Sequence, residues 1–168
     1  MTNLGLFIVR AVVGLVFAAH GAQKLFGWWG GPGMERWIGV MQGMGVRPPR
    51  VWAAVSSLNE LVGGLLLAVG LLTPLAAAVL VGQSMVIIAR VNWSKGFWAT
   101  KSGYEYPMVL GAASLGLAFA GPGAWSIDSY LPLGLLYRPI VIWIMVALAL
   151  AIGLIAIMMR PAPSAPPN

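Results

Sequence analysis

His20 is the only histidine of the chain, and it lies with Lys24 near the end of a long apolar run. A second apolar run holds a single charged residue, Glu60. Imidazole and carboxylate groups exchange protons, and ionisable side chains inside apolar spans are costly unless they are paired. These residues therefore predict either an ion pair that locks two helices together or a site that moves protons.

Six ionisable side chains form the candidate polar core because they fall within or at the ends of apolar runs: Arg10, His20, Lys24, Glu60, Arg90 and Glu105. At the helical rise per residue, Lys24 lies about 3 Å, His20 about 9 Å and Glu60 about 13 Å from the same end of the spans. Arg90 and Glu105 mark that end of two further runs. Arg10 lies deeper, about 10 Å from Glu60 in depth, a gap that a long arginine side chain partly closes. The sequence thus predicts one polar cluster that serves as a proton site, as a quinone site or as a purely structural ion pair.

Other chemistry is excluded by what the sequence lacks. The chain has no cysteine, which excludes disulfides, thiolate catalysis and cysteine-held metal clusters. A single histidine cannot supply a bis-histidine haem site. We therefore expect no metal and no intrinsic cofactor, with a quinone as the one lipid-soluble ligand to consider. No catalytic residue is assigned, and whether the chain is an enzyme stays open.

The composition indicates a membrane protein. Of 168 residues, 60% are hydrophobic and 8% are charged, whereas soluble domains have about 25% charged residues. A lipid-facing surface accommodates this excess, so the first expected partner is the lipid bilayer. The net charge of +6 comes from residues between the apolar runs, which favours basic membrane loops and not a nucleic-acid surface.

Five apolar runs predict five transmembrane helices, over residues 4–26, 51–72, 75–91, 105–120 and 140–159. Residues 34–44 carry apolar side chains at helical spacing and predict a short amphipathic helix in the membrane interface. The proline-rich residues 161–168 predict a disordered tail. The chain is thus expected to form one all-α domain over residues 1–160, a polytopic membrane helical bundle.

The distribution of lysine and arginine predicts the orientation of these spans. Nearly all of the basic residues outside the spans fall on one side of a five-span topology. The positive-inside rule assigns that side to the cytoplasm. We expect a multi-pass protein of a bacterial-type inner membrane, with its N-terminus outside and its C-terminus in the cytoplasm.

Several of these residues together resemble the DoxX family of membrane proteins. The matching features are Arg10, His20-Gly21 followed by Gln-Lys-Leu-Phe-Gly at residues 23–27, Glu60 with Gly63-Gly64, Tyr-Glu-Tyr-Pro at residues 104–107, Gly121-Pro122-Gly123, and Ser126-Ile127-Asp128. The resemblance covers about residues 4–130 and implies a four-helix core, to which residues 140–159 add a fifth transmembrane helix.

The resemblance also implies a setting, although most members of the family have no established activity of their own. Members are linked to respiratory and oxidative-stress machinery, including a subunit type of thiosulfate–quinone oxidoreductase and an assembly with superoxide dismutase and a sulfurtransferase. We therefore expect a small membrane subunit of an oxidoreductase complex, beside a quinone and in contact with other protein subunits. Two alternatives remain open: a small-solute or proton-coupled carrier in which His20 and Glu60 exchange protons, and a structural scaffold subunit.

Overall fold

The computed structural model describes residues 1–158, and they form a bundle of α-helices. The helices are α1 (Thr2–Phe26), α2 (Gly33–Gly43), α3 (Pro49–Val69), α4 (Thr73–Ile87), α5 (Glu105–Ala120) and α6 (Pro139–Met158). The described residues contain no β-strand, so the predicted all-α bundle is confirmed. The predicted end of the fifth span at Met159 and the predicted disordered tail lie outside the described residues.

Four of the helical segments are long and apolar enough to cross a membrane: Thr2–Phe26, Pro49–Val69, Thr73–Lys95 and Pro139–Met158. The helix α5 is also apolar but has only 16 residues. At the usual rise it is about 24 Å long, shorter than the hydrocarbon core of a typical bilayer. The chain is therefore a multi-pass membrane protein in which α5 is shorter than each of these four membrane-spanning segments.

The helices alternate in direction, which gives the bundle two distinct ends. At one end, hereafter the Lys24 end, α1 finishes and α3 begins, and His20 of α1 contacts Tyr106 at the start of α5. At the other end, hereafter the Asp128 end, α3 finishes and α4 begins, and the Asp128 amide donates a hydrogen bond to the Gly70 carbonyl over 2.9 Å. These contacts tie α5 and the loop that follows it to the first three membrane helices.

Glycines bring α1 and α3 into backbone contact. A Cβ atom on Gly64 would lie 2.5 Å from the Ala18 amide nitrogen and from the Gly14 carbonyl oxygen, and one on Gly21 would lie 2.4 Å from the Leu61 amide nitrogen. In membranes, helices associate largely through such close van der Waals packing at small residues. The glycines thus determine how near Glu60 on α3 comes to the polar residues of α1.

The end of α3 differs from its prediction. The helix stops at Val69, and not at Leu72, because Gly70 adopts a left-handed conformation (φ 69°) that ends it. The next helix then begins at Thr73, with Pro74 in its first turn, where the missing amide hydrogen costs nothing. The turn between the two spans is therefore formed by residues 70–72, and not by residues 73–74 as the sequence pattern indicated.

The amphipathic helix α2 packs on the start of α3. Met41 is buried with Val46 and Ala53, and Trp37 and Trp52 pack against them. The helix therefore covers one side of the bundle at the Lys24 end. There, Trp37 of α2 and Trp52 of α3 stand next to the candidate site.

Candidate functional site

A buried ion pair joins α1 to α3. The Lys24 Nζ atom donates a hydrogen bond to Glu60 Oε1 over 2.5 Å, and the side chains of Lys24 and Glu60 are 14% and 1% exposed. The Lys24 ammonium also lies 4.6 Å from the centroid of the Trp37 ring. A carboxylate this deeply buried requires a partner. The sequence allows Arg10, Lys24 or His20 as the partner of Glu60, and in the structure that partner is Lys24.

Gln83 of α4 connects this pair to a third helix. Its Nε2 atom donates over 3.0 Å to Glu60 Oε1 and over 3.0 Å to Ser56 Oγ. The second carboxylate oxygen of Glu60, Oε2, is buried and has no hydrogen-bond partner among the described residues. Neither Gln83 nor Ser56 was predicted from the sequence to belong to the site. A lone amide in the apolar run of α4 was the signal that could have found Gln83.

His20 lies at the same end but does not bond to Glu60. Its Nε2 atom is 3.3 Å from the Tyr106 hydroxyl, and the two rings meet edge to face at 5.9 Å between centroids. Tyr106 stands at the start of α5, so this contact joins α1 to α5. His20 lies one turn before Lys24 on the same side of α1, and its hydrogen bond is to α5.

Arg90 and Glu105 also lie towards the Lys24 end, outside the Lys24–Glu60–Gln83 cluster. The Arg90 guanidinium donates to the Ala156 carbonyl of α6 over 3.2 Å. The Glu105 carboxylate accepts from the Ala99 amide over 2.9 Å, which holds the loop before α5. Each residue therefore has a local partner and braces the site from a neighbouring element.

Arg10 is not part of this cluster, and its expected approach to Glu60 is not seen. Its guanidinium donates to the Ala68 carbonyl over 2.8 Å and to the Trp125 carbonyl. These carbonyls belong to the end of α3 and to the loop after α5. Both lie at about the same depth in the bundle as Arg10, so its side chain reaches them. The side chain is buried at the Asp128 end, where it fastens that loop to the bundle.

Asp128 completes the second polar cluster, which was not predicted from the sequence. Its carboxylate accepts from the amides of Leu72 and Thr73 over 2.8 and 2.9 Å and from the Tyr137 hydroxyl. Burial alone would raise the pKa of Asp128, but these hydrogen bonds outweigh it and lower the pKa below its ordinary value. Burial and the bond to Asp128 raise the pKa of Tyr137. The ionised carboxylate therefore caps the start of α4.

We expect this cap to make stability depend on pH. Because the pKa of Asp128 is lower in the folded protein, its ionisation contributes stability above about pH 4, and this is lost as the pH falls through the lowered pKa. Asp128→Asn should reduce the free energy of unfolding by about 2 kcal/mol at pH 7 and remove most of this pH dependence. Thermal unfolding in detergent between pH 7 and pH 3 measures both the loss of stability and its pH dependence.

The control for this prediction is Glu35→Gln, at an exposed position of α2, which should behave like the wild type. A steep acid transition that persists in Asp128→Asn would contradict the assignment.

A cavity of about 290 Å³ lies beside the buried pair, between α2, α3, α4 and α6. Most of its lining is apolar, and Trp37 and Trp52 form part of the wall. The polar side chains that reach it are Ser56, Asn59, Gln83 and Arg90. Gln83 thus belongs to both features, because its amide nitrogen bonds to Glu60 and Ser56 and the same residue lines the cavity. An apolar chamber with a few polar groups is the usual form of a small-molecule site.

Comparison with known protein families relates about the first half of the chain to a described family. The sequence model of a family described as DoxX matches residues 5–93. That segment contains α2 to α4 and nearly all of α1, and hence the Lys24–Glu60 pair, Gln83 and most of the cavity wall. No curated protein and no solved structure matches the chain.

Proposed function

The chain belongs to the DoxX family, and from this premise we propose that it is a membrane subunit of an oxidoreductase assembly that binds a lipid-soluble quinone. The cavity between α2, α3, α4 and α6 is the proposed binding site. One observation carries the proposal: the apolar cavity reaches Gln83, and Gln83 is hydrogen-bonded to the buried Lys24–Glu60 pair. The site therefore combines room for an apolar ring with ionisable groups that are kept away from water.

The polar groups of the cavity fit a quinone. A quinone head is flat and largely apolar, and its carbonyl oxygens only accept hydrogen bonds. The Ser56 hydroxyl accepts from Gln83, which leaves its own hydrogen for a ligand, since the described residues show no bond that it donates. The Asn59 amide also faces the cavity. Both side chains offer donors, which is what a carbonyl ligand requires.

The buried pair gives this site a place to hold a proton. When bound, a quinone supplies two-electron chemistry, since it takes up two electrons and two protons. The electrons would come from a redox subunit of the assembly. Glu60 Oε2, buried and without a hydrogen-bond partner among the described residues, is the atom of this chain that would carry a proton. Lys24 stabilises the carboxylate when that proton has left.

The proposal predicts that Gln83→Leu weakens quinone binding. Leucine cannot hydrogen-bond to Ser56 or Glu60, so the side chains of the polar wall are no longer held in position. We expect the affinity for the quinone to fall about tenfold or more. The probe is a quinone with a ten-carbon tail, titrated into protein in nanodiscs. The saturable part of the tryptophan quenching reports binding, because Trp37 and Trp52 line the cavity.

Ser84→Ala is the matched control, because Ser84 is the next residue of α4 and, among the described residues, its hydroxyl bonds only to the Leu80 carbonyl of its own helix. The quinone affinity of Ser84→Ala should stay within twofold of the wild-type value. Quenching that never saturates in the wild type, or an unchanged affinity in Gln83→Leu, would refute the proposed site.

A further inference from the structure

One wall of the cavity comes from α6, which lies outside the segment that matches the family. The match ends at residue 93, whereas Ala149, Ile152, Gly153 and Ala156 of α6 all line the cavity. The two backbones of α4 and α6 nearly touch, since a Cβ atom on Gly82 would lie 2.6 Å from the Ala149 carbonyl oxygen. The Arg90 bond to the Ala156 carbonyl holds α6 in place further along. The α6 helix therefore closes a space that α2, α3 and α4 alone would leave open.

The cavity nevertheless has an opening, and it lies between α3 and α6. Both helices pack on α4, but within the described residues they are not a packed pair. Val55 of α3 and Ile152 of α6 line the cavity, and they are also 39% and 59% exposed on the outer surface. These two side chains thus mark the rims of a passage, hereafter the α3–α6 gap.

The gap faces the hydrocarbon layer of the membrane. Val55 is six residues into α3, and Ile152 is six residues before the end of α6. At the helical rise, both lie about 9 Å inside their helix ends at the Lys24 end of the bundle. The neighbouring outward side chains, Leu58 and Leu148, are apolar and exposed. A molecule that passes through the gap therefore comes from the lipid and not from water.

The size of the cavity limits how much of a ligand it takes. Sites that enclose a drug-sized molecule have volumes of about 300–1,000 Å³, and this cavity, at about 290 Å³, is at the lower limit. It has room for a headgroup but not for a long chain as well. The rest of a tailed ligand must lie outside, and the α3–α6 gap is the apolar way out.

We propose that α6 makes this a laterally loaded site, in which a single-tailed lipophilic ligand moves from the bilayer through the α3–α6 gap and leaves its tail between Val55 and Ile152. This inference rests on the proposed function for the identity of the headgroup. It adds the route by which the ligand enters, the requirement that the ligand has a tail, and a role for α6, which lies outside the matched segment. A phospholipid chain in the gap is the competing occupant, and the test separates the two.

The test compares a quinone that carries a ten-carbon tail with the same quinone without its tail, in phosphatidylcholine nanodiscs. In the wild type, the tailed probe should bind at least tenfold more tightly than the tailless one at equal concentration in the membrane. In Val55→Phe/Ile152→Phe, which narrows the gap, that advantage should fall to twofold or less. Leu58→Phe/Leu148→Phe, on the outward faces of the same helices, should keep the full advantage.

A second measurement uses the absence of cysteine from the chain. Val55→Cys gives a single thiol at the gap, and Leu58→Cys gives one on the outward face of the same helix. The tailed quinone should slow the reaction of a lipid-soluble thiol reagent at position 55 by fivefold or more and leave position 58 unchanged.

Two outcomes overturn the lateral-loading proposal: equal affinities for the tailed and tailless probes in the wild type, or no protection at position 55 by a tailed probe that does bind. Either would mean that phospholipid fills the gap. If neither probe produces saturable quenching in the wild type, the proposed function itself has failed.

Discussion

Lys24→Met should lower the free energy of unfolding by about 3–5 kcal/mol, the usual cost of removing one partner from a buried ion pair. Glu60 would keep its carboxylate in the bundle interior, with the Gln83 amide as its one remaining hydrogen-bond donor among the described residues. Unfolding by SDS in mixed micelles gives the value. The size of the effect follows from burial, since the Glu60 side chain is 1% exposed.

The double variant Lys24→Met/Glu60→Gln separates the cost of an unpaired charge from the value of the pair. Both charges are gone in it, so most of the stability should return, to within about 1.5 kcal/mol of the wild type. Lys101→Met, at an exposed position near the same end, is the control and should change stability by less than about 0.5 kcal/mol. A single Lys24→Met variant as stable as this control would show that the buried pair is not formed.

Gly64→Ala should destabilise the bundle by about 2–3 kcal/mol, because the new methyl group meets backbone. Its Cβ atom would lie 2.5 Å from the Ala18 nitrogen and the Gly14 oxygen, neither of which moves without separating α1 from α3. The separation would also lengthen the Lys24–Glu60 contact. Quinone affinity should therefore fall together with thermal stability.

The adjacent glycine provides the control for this prediction. A Cβ atom on Gly63 would meet only the Leu80 side chain, at 3.3 Å from its Cδ2 atom. That side chain can shift, and alanine gains about 1 kcal/mol of helix propensity over glycine. Gly63→Ala should therefore be close to neutral. Equal losses for the two variants would mean that α1 and α3 are not in backbone contact.

The bundle could be predicted from sequence because hydropathy alone defines long apolar helices. The pairing of Lys24 with Glu60 was among the predicted options, since spacing along each helix fixes depth in the membrane. Spacing does not fix how neighbouring helices are rotated about their axes. The sequence therefore left Arg10, Lys24 and His20 as possible partners for Glu60, and the glycine contacts between α1 and α3 decide among them.

The remaining parts of the site depend on contacts between elements that are distant in sequence. Gln83 is a single amide in an apolar helix, and nothing in its neighbourhood shows that it faces Glu60 and Ser56. Asp128 meets the start of α4 only because the loop after α5 folds back over the bundle. The cavity is space between four helices, and its outer wall is set by the close approach of α6 to Gly82. No periodicity within one helix contains that information.

We propose that the cavity holds a quinone in a protein that works within a redox assembly, and native mass spectrometry tests this proposal most directly. The wild type is extracted from its own membrane in mild detergent, with an optical spectrum recorded on the same sample. We expect a quinone bound to the chain together with at least one further protein subunit. The quinone should be retained in Ser84→Ala and lost in Gln83→Leu. A wild-type chain released with neither quinone nor partner subunit would contradict the account.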